Sequence, residues 1–284
     1  MLRAETGLRT LRDREALPFG GKNVSGKHPT SNIQRRTSKV PNDRANTLDV
    51  GCLMPEVRVS NWCLFQSGPG GAAFNMALDE ALLEAMPRLQ SPVLRFYGWT
   101  ERAASFGYFQ KYPEVERLTL QRPLVRRPTG GGLVPHGADW TYSLVFPAGH
   151  EWHALKAVES YRRVHEWIQA AFARLNVAAE LAPCCRKAEP GQCFAGHEKL
   201  DLLWRGKKIA GAAQRRTRNG LLIQGSVQPP PTIPGKDWQA MMRAVAPFEN
   251  DVQCAEFEPD AGLRSRAVNL ASEKYSQDHY NRKR

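Results

Sequence analysis

The chain has 284 residues, 42% of them hydrophobic and 24% charged, which excludes a disordered or fibrous protein and leaves room for one large domain or two small ones. No stretch approaches the ~20 consecutive apolar residues that span a bilayer, and no apolar run near the N-terminus reads as a secretory signal. The formal net charge of +12 favours an acidic partner, whether nucleic acid, anionic membrane or protein, without choosing among them.

Residues 1–55 read as a disordered basic tail. They are rich in Arg, Lys, Ser, Thr, Asn and Gly and lack a sustained apolar period. Within residues 1–53, ten Lys/Arg stand against five Asp/Glu; the frequent Arg and Ser admit a transit peptide, and the five acids count against it. Disorder, or a start at Met54, is the favoured reading. Localisation is expected to be cytoplasmic, and organellar only if the tail is a transit peptide. The six cysteines, Cys52, Cys63, Cys184, Cys185, Cys193 and Cys254, show no Cys-x-x-Cys spacing and read as reduced thiols.

From Val57 the pattern changes. Val57–Gln66 reads as a strand, Gly68–Gly71 as a turn, and Ala72–Met86 as a helix stopped by Pro87. Val93–Trp99 and Ser105–Gln110 read as aromatic-rich strands, with Leu124–Arg127, Gly132–Pro135 and Trp140–Phe146 as three more. A helix of roughly 24 residues follows, with Val158, Tyr161, Val164, Ile168, Ala171, Phe172 and Leu175 on one face. His150, His153 and His165 fall in or near it and read as surface residues. Lys199–Trp204, Lys207–Arg216 and Leu221–Val227 form a meander with turns at Arg205-Gly206 and Asn219-Gly220. Trp238–Val245 reads as a short helix, and another is expected from Leu263. Helices and antiparallel strands mix without βαβ alternation, so the fold class is α+β.

Three constellations carry chemistry. Arg126-Arg127-Pro128-Thr129-Gly130-Gly131-Gly132, followed by His136, offers glycines that admit positive φ and exposed amides for an anion, with two charge-assisted donors beside them. An ordinary tight turn beside solvated arginines explains the same residues. Cys193-Phe194, Asp201 and Lys208–Gln214 form the second. Lys208 stands on a strand beside Ala210, Gly211 and Ala212, so a ligand could lie flat there, with Lys207 on the opposite face. Two solvent lysines at a hairpin are the plain alternative. The third, Asn75–Leu83, is an amphipathic helix whose acids read as a solvated face or as caps.

These segments together resemble the biotin/lipoate protein ligase and octanoyltransferase superfamily, over about residues 58–230 and in the same order. The resemblance implies a curved mixed β-sheet with helices packed on one side, organised as a tail (1–55), a catalytic domain (56–232) and a short helical C-terminal extension (233–284). It also implies that Arg126, Arg127, the Gly130–Gly132 loop, Gly211, Ala212 and Lys208 line an acyl pocket with His136 near its mouth, and that Cys193 is the nucleophile. Cys193 would take an octanoyl or lipoyl group from an acyl carrier protein and pass it to a lysine of a lipoyl domain or a glycine-cleavage H-type protein, with no cofactor. Arg205, Lys207, Arg215, Arg216 and Arg218 would form a positive rim for those partners.

The alternative on the same fold is an ATP-dependent lipoate–protein ligase, with the glycine loop near phosphate and Asp201 near magnesium. Two departures bear on these readings: Gly137 stands where an acid often follows the histidine, and Leu200 replaces an asparagine often found before Asp201 in ligases. The Gly-Arg-Gly-Arg loop of biotin ligases is missing. From a different class, Cys184, Cys185, Cys193 and His197 could hold zinc, but the adjacent cysteines lack the usual gap, and no metal site is expected. No nucleic-acid-binding motif appears, and neither nucleic acid nor membrane is an expected partner.

Overall fold

The computed structural model describes residues 62–186, 194–230, 233–246 and 254–284, all within one compact unit. The first half runs β1 (Trp62–Gly70), α1 (Ala72–Leu89), β2 (Val93–Trp99), β3 (Ala104–Phe106), α2 (Tyr112–Leu118), β4 (Leu124–Arg126), β5 (Val134–Pro135) and β6 (Trp140–Pro147). The second runs α3 (Glu151–Ala154), α4 (Ala157–Arg174), β7 (Glu180–Leu181), β8 (Leu202–Trp204), β9 (Lys207–Thr217), β10 (Gly220–Val227), α5 (Gly235–Ala244), β11 (Cys254–Glu256), α6 (Ala261–Leu270), a π turn (Ala271–Tyr275) and α7 (Asp278–Asn281).

Eight strands form a mixed sheet in the order β11-β1-β2-β6-β10-β9-β8-β7, parallel only where β1 meets β11 and β2. A small sheet, β4-β3-β5, stands beside it. The α+β class expected from the sequence is the one observed, but helices flank the large sheet on both faces rather than one. Alternation along the strands explains this. Leu94, Phe96, Leu144 and Phe146 face α4 and α5 with Trp167, Phe172 and Trp238. Val93, Val145 and Leu222 face α1 and α6. Every residue of β10 is buried, the signature of a strand covered on both sides.

Several element ends differ from the sequence reading. Gly68–Gly70 belongs to β1, where the register with β2 skips Ser67 and Gly68 follows at φ +68. The Asn75 amide donates to the Gly70 and Gly98 carbonyls and fastens α1 to both strand ends. Pro87 lies within the last turn of α1, where its missing N–H removes only one bond, and Gln90 closes the helix in the left-handed region. The strand expected through Gln110 ends at Phe106, because the Gln110 side chain accepts from the Gly107 N–H. The long helix is two: α3, capped by His150, and the 18-residue α4. Val158 is exposed, whereas His165 is fully buried, a correction of both assignments. The face of α4 is wider than one stripe because α5 packs beside the sheet, with Trp167 Nε1 donating to the Met242 carbonyl at 2.7 Å.

The segment expected as a C-terminal extension is built into the unit. β11 edges the sheet, and Leu263, Ala267, Leu270 and Tyr275 share a core with α1. Among the described residues no helix is long and apolar enough to cross a membrane.

Candidate active site

A cleft opens between the small sheet and the β9–β10 end of the large one, enclosing about 490 Å³ of open space with its mouth included. Met76, Tyr97 and Val134 give it apolar walls, and Lys208, Arg127, His136, Ser105 and Gln224 give it polar ones. It is a mostly apolar concavity with a few convergent polar groups.

Lys208 is aimed by a bulge. Leu203 opposes Lys208 and the adjacent Leu202 opposes Ala210, so the pairing skips Ile209. The extra residue turns Lys208 onto the same face as Gly211. A Cβ at Gly211 would come within 2.6 Å of Lys208 Cε, so only glycine lets the lysine lie along the strand. Its Nζ sits 2.7 Å from Asp201 Oδ2, with the lysine side chain 6% exposed and the aspartate fully buried. Asp201 Oδ1 accepts from the Tyr161 hydroxyl, and Oδ2 also accepts from the Glu198 N–H. Phe194 lies with its ring centre 5.2 Å from Lys208 Nζ. Gly211 and Ala212 line the cleft, and Lys207 points out to solvent.

On the opposite wall the two adjacent arginines part company. Arg127 turns inward, donating to the Gly130 carbonyl (3.0 and 2.5 Å), the Gly132 carbonyl (2.8 Å) and the Ser105 carbonyl (3.2 Å). It holds the glycine loop closed. Of the three glycines only Gly131 takes a positive φ, +85. The close approach the loop requires is to Gly107, where any Cβ would run into the Gly131 carbonyl. Gly131 lines the cleft; Gly130 and Gly132 serve it through their carbonyls on Arg127.

Arg126 does not line the cleft. It is fully buried and donates to the carbonyls of Tyr108, Gln110, Tyr280 and Asn281. Neighbouring residues on a strand face opposite ways, and the C-terminal segment supplies the acceptors on the outer side.

His136 is not at the mouth but in the wall, 5% exposed and stacked on Trp99 at 3.7 Å between ring centres. Its Nδ1 lies 2.8 Å from Asp139 Oδ2 and its Nε2 2.7 Å from Ser105 Oγ. Burial holds the imidazole below its usual range against the opposing pull of Asp139, so it is neutral at pH 7. The acid missing at Gly137 is supplied two positions later.

Beneath the cleft lies a polar network. Asp79, fully buried, pairs with Arg95 at 2.6 Å and accepts from Ser143, Gln224 and Tyr97. Gln224 in turn accepts from Thr129 beside the glycine loop. The α1 acids are expected on a solvated face or as caps, and Asp79, fully buried in an ion pair, departs from both.

Of the expected rim, Arg205, Lys207 and Arg218 are exposed. Arg215 pairs with Glu80, and Arg216 turns to the Leu155 carbonyl and Ser160. Cys193 lies outside the described residues. Cys184 and Cys185 are exposed, and among the described residues no three ligands converge as a metal site.

The lipoyl protein ligase A/B catalytic domain family matches residues 71–274, a span that includes every side chain of this cleft. The chain belongs to that family. Octanoyltransferase LipM of Kyrpidia tusciae is 36% identical over 184 residues, 60% of this chain and 66% of the relative. Octanoyltransferase LipM of Bacillus subtilis is 35% identical over 181 residues, 58% and 64%. The chain thus spans just under two thirds of the length of these relatives. Among solved structures, a putative lipoate protein ligase of Thermoplasma acidophilum has TM-score 0.65 at 20% identity, covering 79% of this chain and 99% of that one. A lipoate-protein ligase A bound with ATP has TM-score 0.64 at 20% identity, covering 78% and 98%. These two likenesses concern the fold alone.

Sequence reasoning missed Ser105, Asp139 and Asp79 as members of the site. An acid within one turn of His136 was a usable signal for Asp139. Nothing local marks Ser105, which meets His136 only through the β3–β5 pairing.

Proposed function

We propose that the chain is an acyltransferase of protein lipoylation, moving an octanoyl group from an acyl carrier protein thioester to a lysine of a lipoyl domain or H-type protein in the cytoplasm. The observation that carries this reading is the 36% identity to a protein named octanoyltransferase. The chemistry is assigned to residues 56–232, with the tail at 1–55 outside it. Cys193, the neighbour of Phe194 in the chain, attacks the donor carbonyl, and the carrier thiolate departs. The acceptor ε-amine then attacks the acyl-cysteine, the C–N bond forms, and the Cys193 thiolate leaves. The thioester is already activated, so no cofactor is required. Lys208 steadies the oxyanion in both steps, held in place by Asp201 and Gly211. Met76, Tyr97 and Val134 supply apolar walls for the alkyl chain.

The magnesium role weighed for Asp201 does not fit this arrangement. Both carboxylate oxygens accept from protein donors, and the Lys208 ammonium stands 2.7 Å away, where a cation would have to bind.

The test is the intact mass of the full chain after incubation with octanoyl carrier protein, for the wild type and Cys193→Ser. A gain of one octanoyl mass that requires Cys193 and no ATP is the expected result. No gain, together with ATP-dependent lipoate transfer to a lipoyl domain, overturns the reading.

A further inference from the structure

Formation of the product amide has a requirement that Lys208 does not meet. An acceptor lysine attacks as a neutral amine and must shed an N–H proton as the C–N bond forms. That holds whether the acyl group arrives as a thioester or as an adenylate. The wall opposite Lys208 carries three side chains in one line: Ser105 Oγ, 2.7 Å from His136 Nε2, and His136 Nδ1, 2.8 Å from Asp139 Oδ2. They come from β3 and from the turn between β5 and β6.

The direction of the line follows from chemistry. Asp139 Oδ2 also accepts from Ser226 at 2.7 Å and Thr141 at 3.2 Å, and Oδ1 accepts from the Gly137 N–H at 3.1 Å. Burial favours the neutral acid, but the bonds from His136 and Ser226 outweigh it and hold the carboxylate ionised. An ionised carboxylate only accepts, so Nδ1 carries the hydrogen and the Nε2 lone pair faces Ser105. The Ser105 hydroxyl therefore donates to Nε2 and accepts from Arg127 Nη1 at 3.4 Å, which leaves its second lone pair for a donor from the cleft. Trp99 fixes the ring plane, with its Nε1 donating to Thr141 Oγ1 at 2.7 Å. The charged and titratable groups facing this imidazole are Asp139 from its own turn and Arg127 from the end of β4; Tyr97 of β2 adjoins Asp139. A cluster with only a structural role would have no reason to end in the cleft, yet both Ser105 and His136 line it.

We infer that Ser105, His136 and Asp139 form a general-base relay that takes the proton from the acceptor lysine as it attacks the acyl group. As the amine nitrogen bonds to the acyl carbon, its proton passes to Ser105 Oγ while the Ser105 proton passes to His136 Nε2. Asp139 stabilises the resulting imidazolium. The bond from the acyl carbon to sulfur, or to the phosphate oxygen of an adenylate, breaks with its electron pair on the leaving group. The imidazolium then returns the proton to that group or to solvent. Unlike the octanoyl-carrier reading above, this inference concerns the amine step alone and rests only on amide formation in this cleft.

The experiment follows single-turnover transfer by the full chain to two acceptors: a lipoyl domain, and hydroxylamine, which is neutral at pH 7 and needs little help from a base. Octanoyl carrier protein and presynthesised octanoyl-adenylate are tried as donors. Failure of the first alone overturns the function proposed above and leaves this test intact. Ser105→Ala is expected to slow transfer to the lipoyl domain about 100-fold or more. It should slow transfer to hydroxylamine less than about fivefold and leave the acid limb of donor loading in place. Ser105→Thr, which keeps the hydroxyl, should recover most of the lysine transfer. Residual lysine transfer in Asp139→Asn should carry its acid limb to lower pH, because the carboxylate that raises His136 is gone. Equal losses with both acceptors, or lysine transfer unchanged in Ser105→Ala, would overturn the relay.

Discussion

The two faces of the large sheet solve different problems with different materials. Toward α4 and α5 the core is aromatic: Trp62, Phe146, Trp152, Trp167, Phe172 and Trp238, with the buried polar side chains of α4, Ser160 and His165, and the Tyr161–Asp201–Lys208 chain along one edge. Toward α1 the core carries a buried ion pair, Asp79–Arg95, tied through Gln224 and Thr129 to the glycine loop. Apolar contacts are non-directional and tolerate small shifts, whereas a carboxylate with four donors fixes angles as well as distances. The first face holds the domain together; the second also aims the cleft wall.

That contrast can be broken most severely at Asp79. Asp79→Ala leaves the Arg95 guanidinium buried without its partner and is expected to cost about 3–5 kcal/mol in urea unfolding. It should also lower transfer by the folded fraction, because Gln224 loses its anchor. Next in size comes Lys208→Ala, expected to reduce acyl transfer by the folded fraction about 10²–10³-fold and also to lower the unfolding midpoint, because buried Asp201 loses its cation. Lys207→Ala, one residue away but solvent-facing, should leave rate and midpoint unchanged, and equal effects at both positions would sink the assignment.

The third test is of pH. Burial pushes His165 down to about 4, so the folded state stays neutral while the unfolded chain protonates near its ordinary ~6.5. Its folded pKa is depressed, so its contribution to stability is full above that ordinary value and is lost as pH falls toward 4. The loss is about 3 kcal/mol. His165→Leu should flatten the unfolding midpoint across that window, and an unchanged pH dependence would place the titration elsewhere. The smallest effect belongs to the aromatic face: Ile168→Val should cost about 1 kcal/mol and leave kinetics alone. A kinetic effect there as large as that at Asp79 would erase the distinction between the faces.

Much of this was legible in the sequence wherever a local rule decided it. The Asn219-Gly220 hairpin, the β9–β10 meander and the Arg127–Gly131 loop follow from turn chemistry and alternation. Gly211 beside Lys208 was visible as a small residue on a lysine-bearing strand. What could not be read is what distant pairing decides. Arg126 and Arg127 are identical in type and adjacent, and only the position of residues 280–281 tells which one faces the ligand. His165 reads as a surface histidine because the charged pair beside it, Asp201 and Lys208, lies some forty residues on. Ser105 joins His136 through a three-strand sheet whose strands are two or three residues long, below the length at which periodicity speaks.

The grip of Arg126 on Tyr280 and Asn281 has a consequence for synthesis. A guanidinium that begins the glycine loop waits for carbonyls 154 and 155 positions downstream. During translation the strand bearing it emerges long before those acceptors, and an unpaired buried arginine is not a stable state. The sheet can assemble on the ribosome, but the loop beside the cleft can take its final shape only after the last helix has docked. A nascent chain would thus be folded before it is competent. The order of events would show as protease resistance preceding activity in a timed translation reaction.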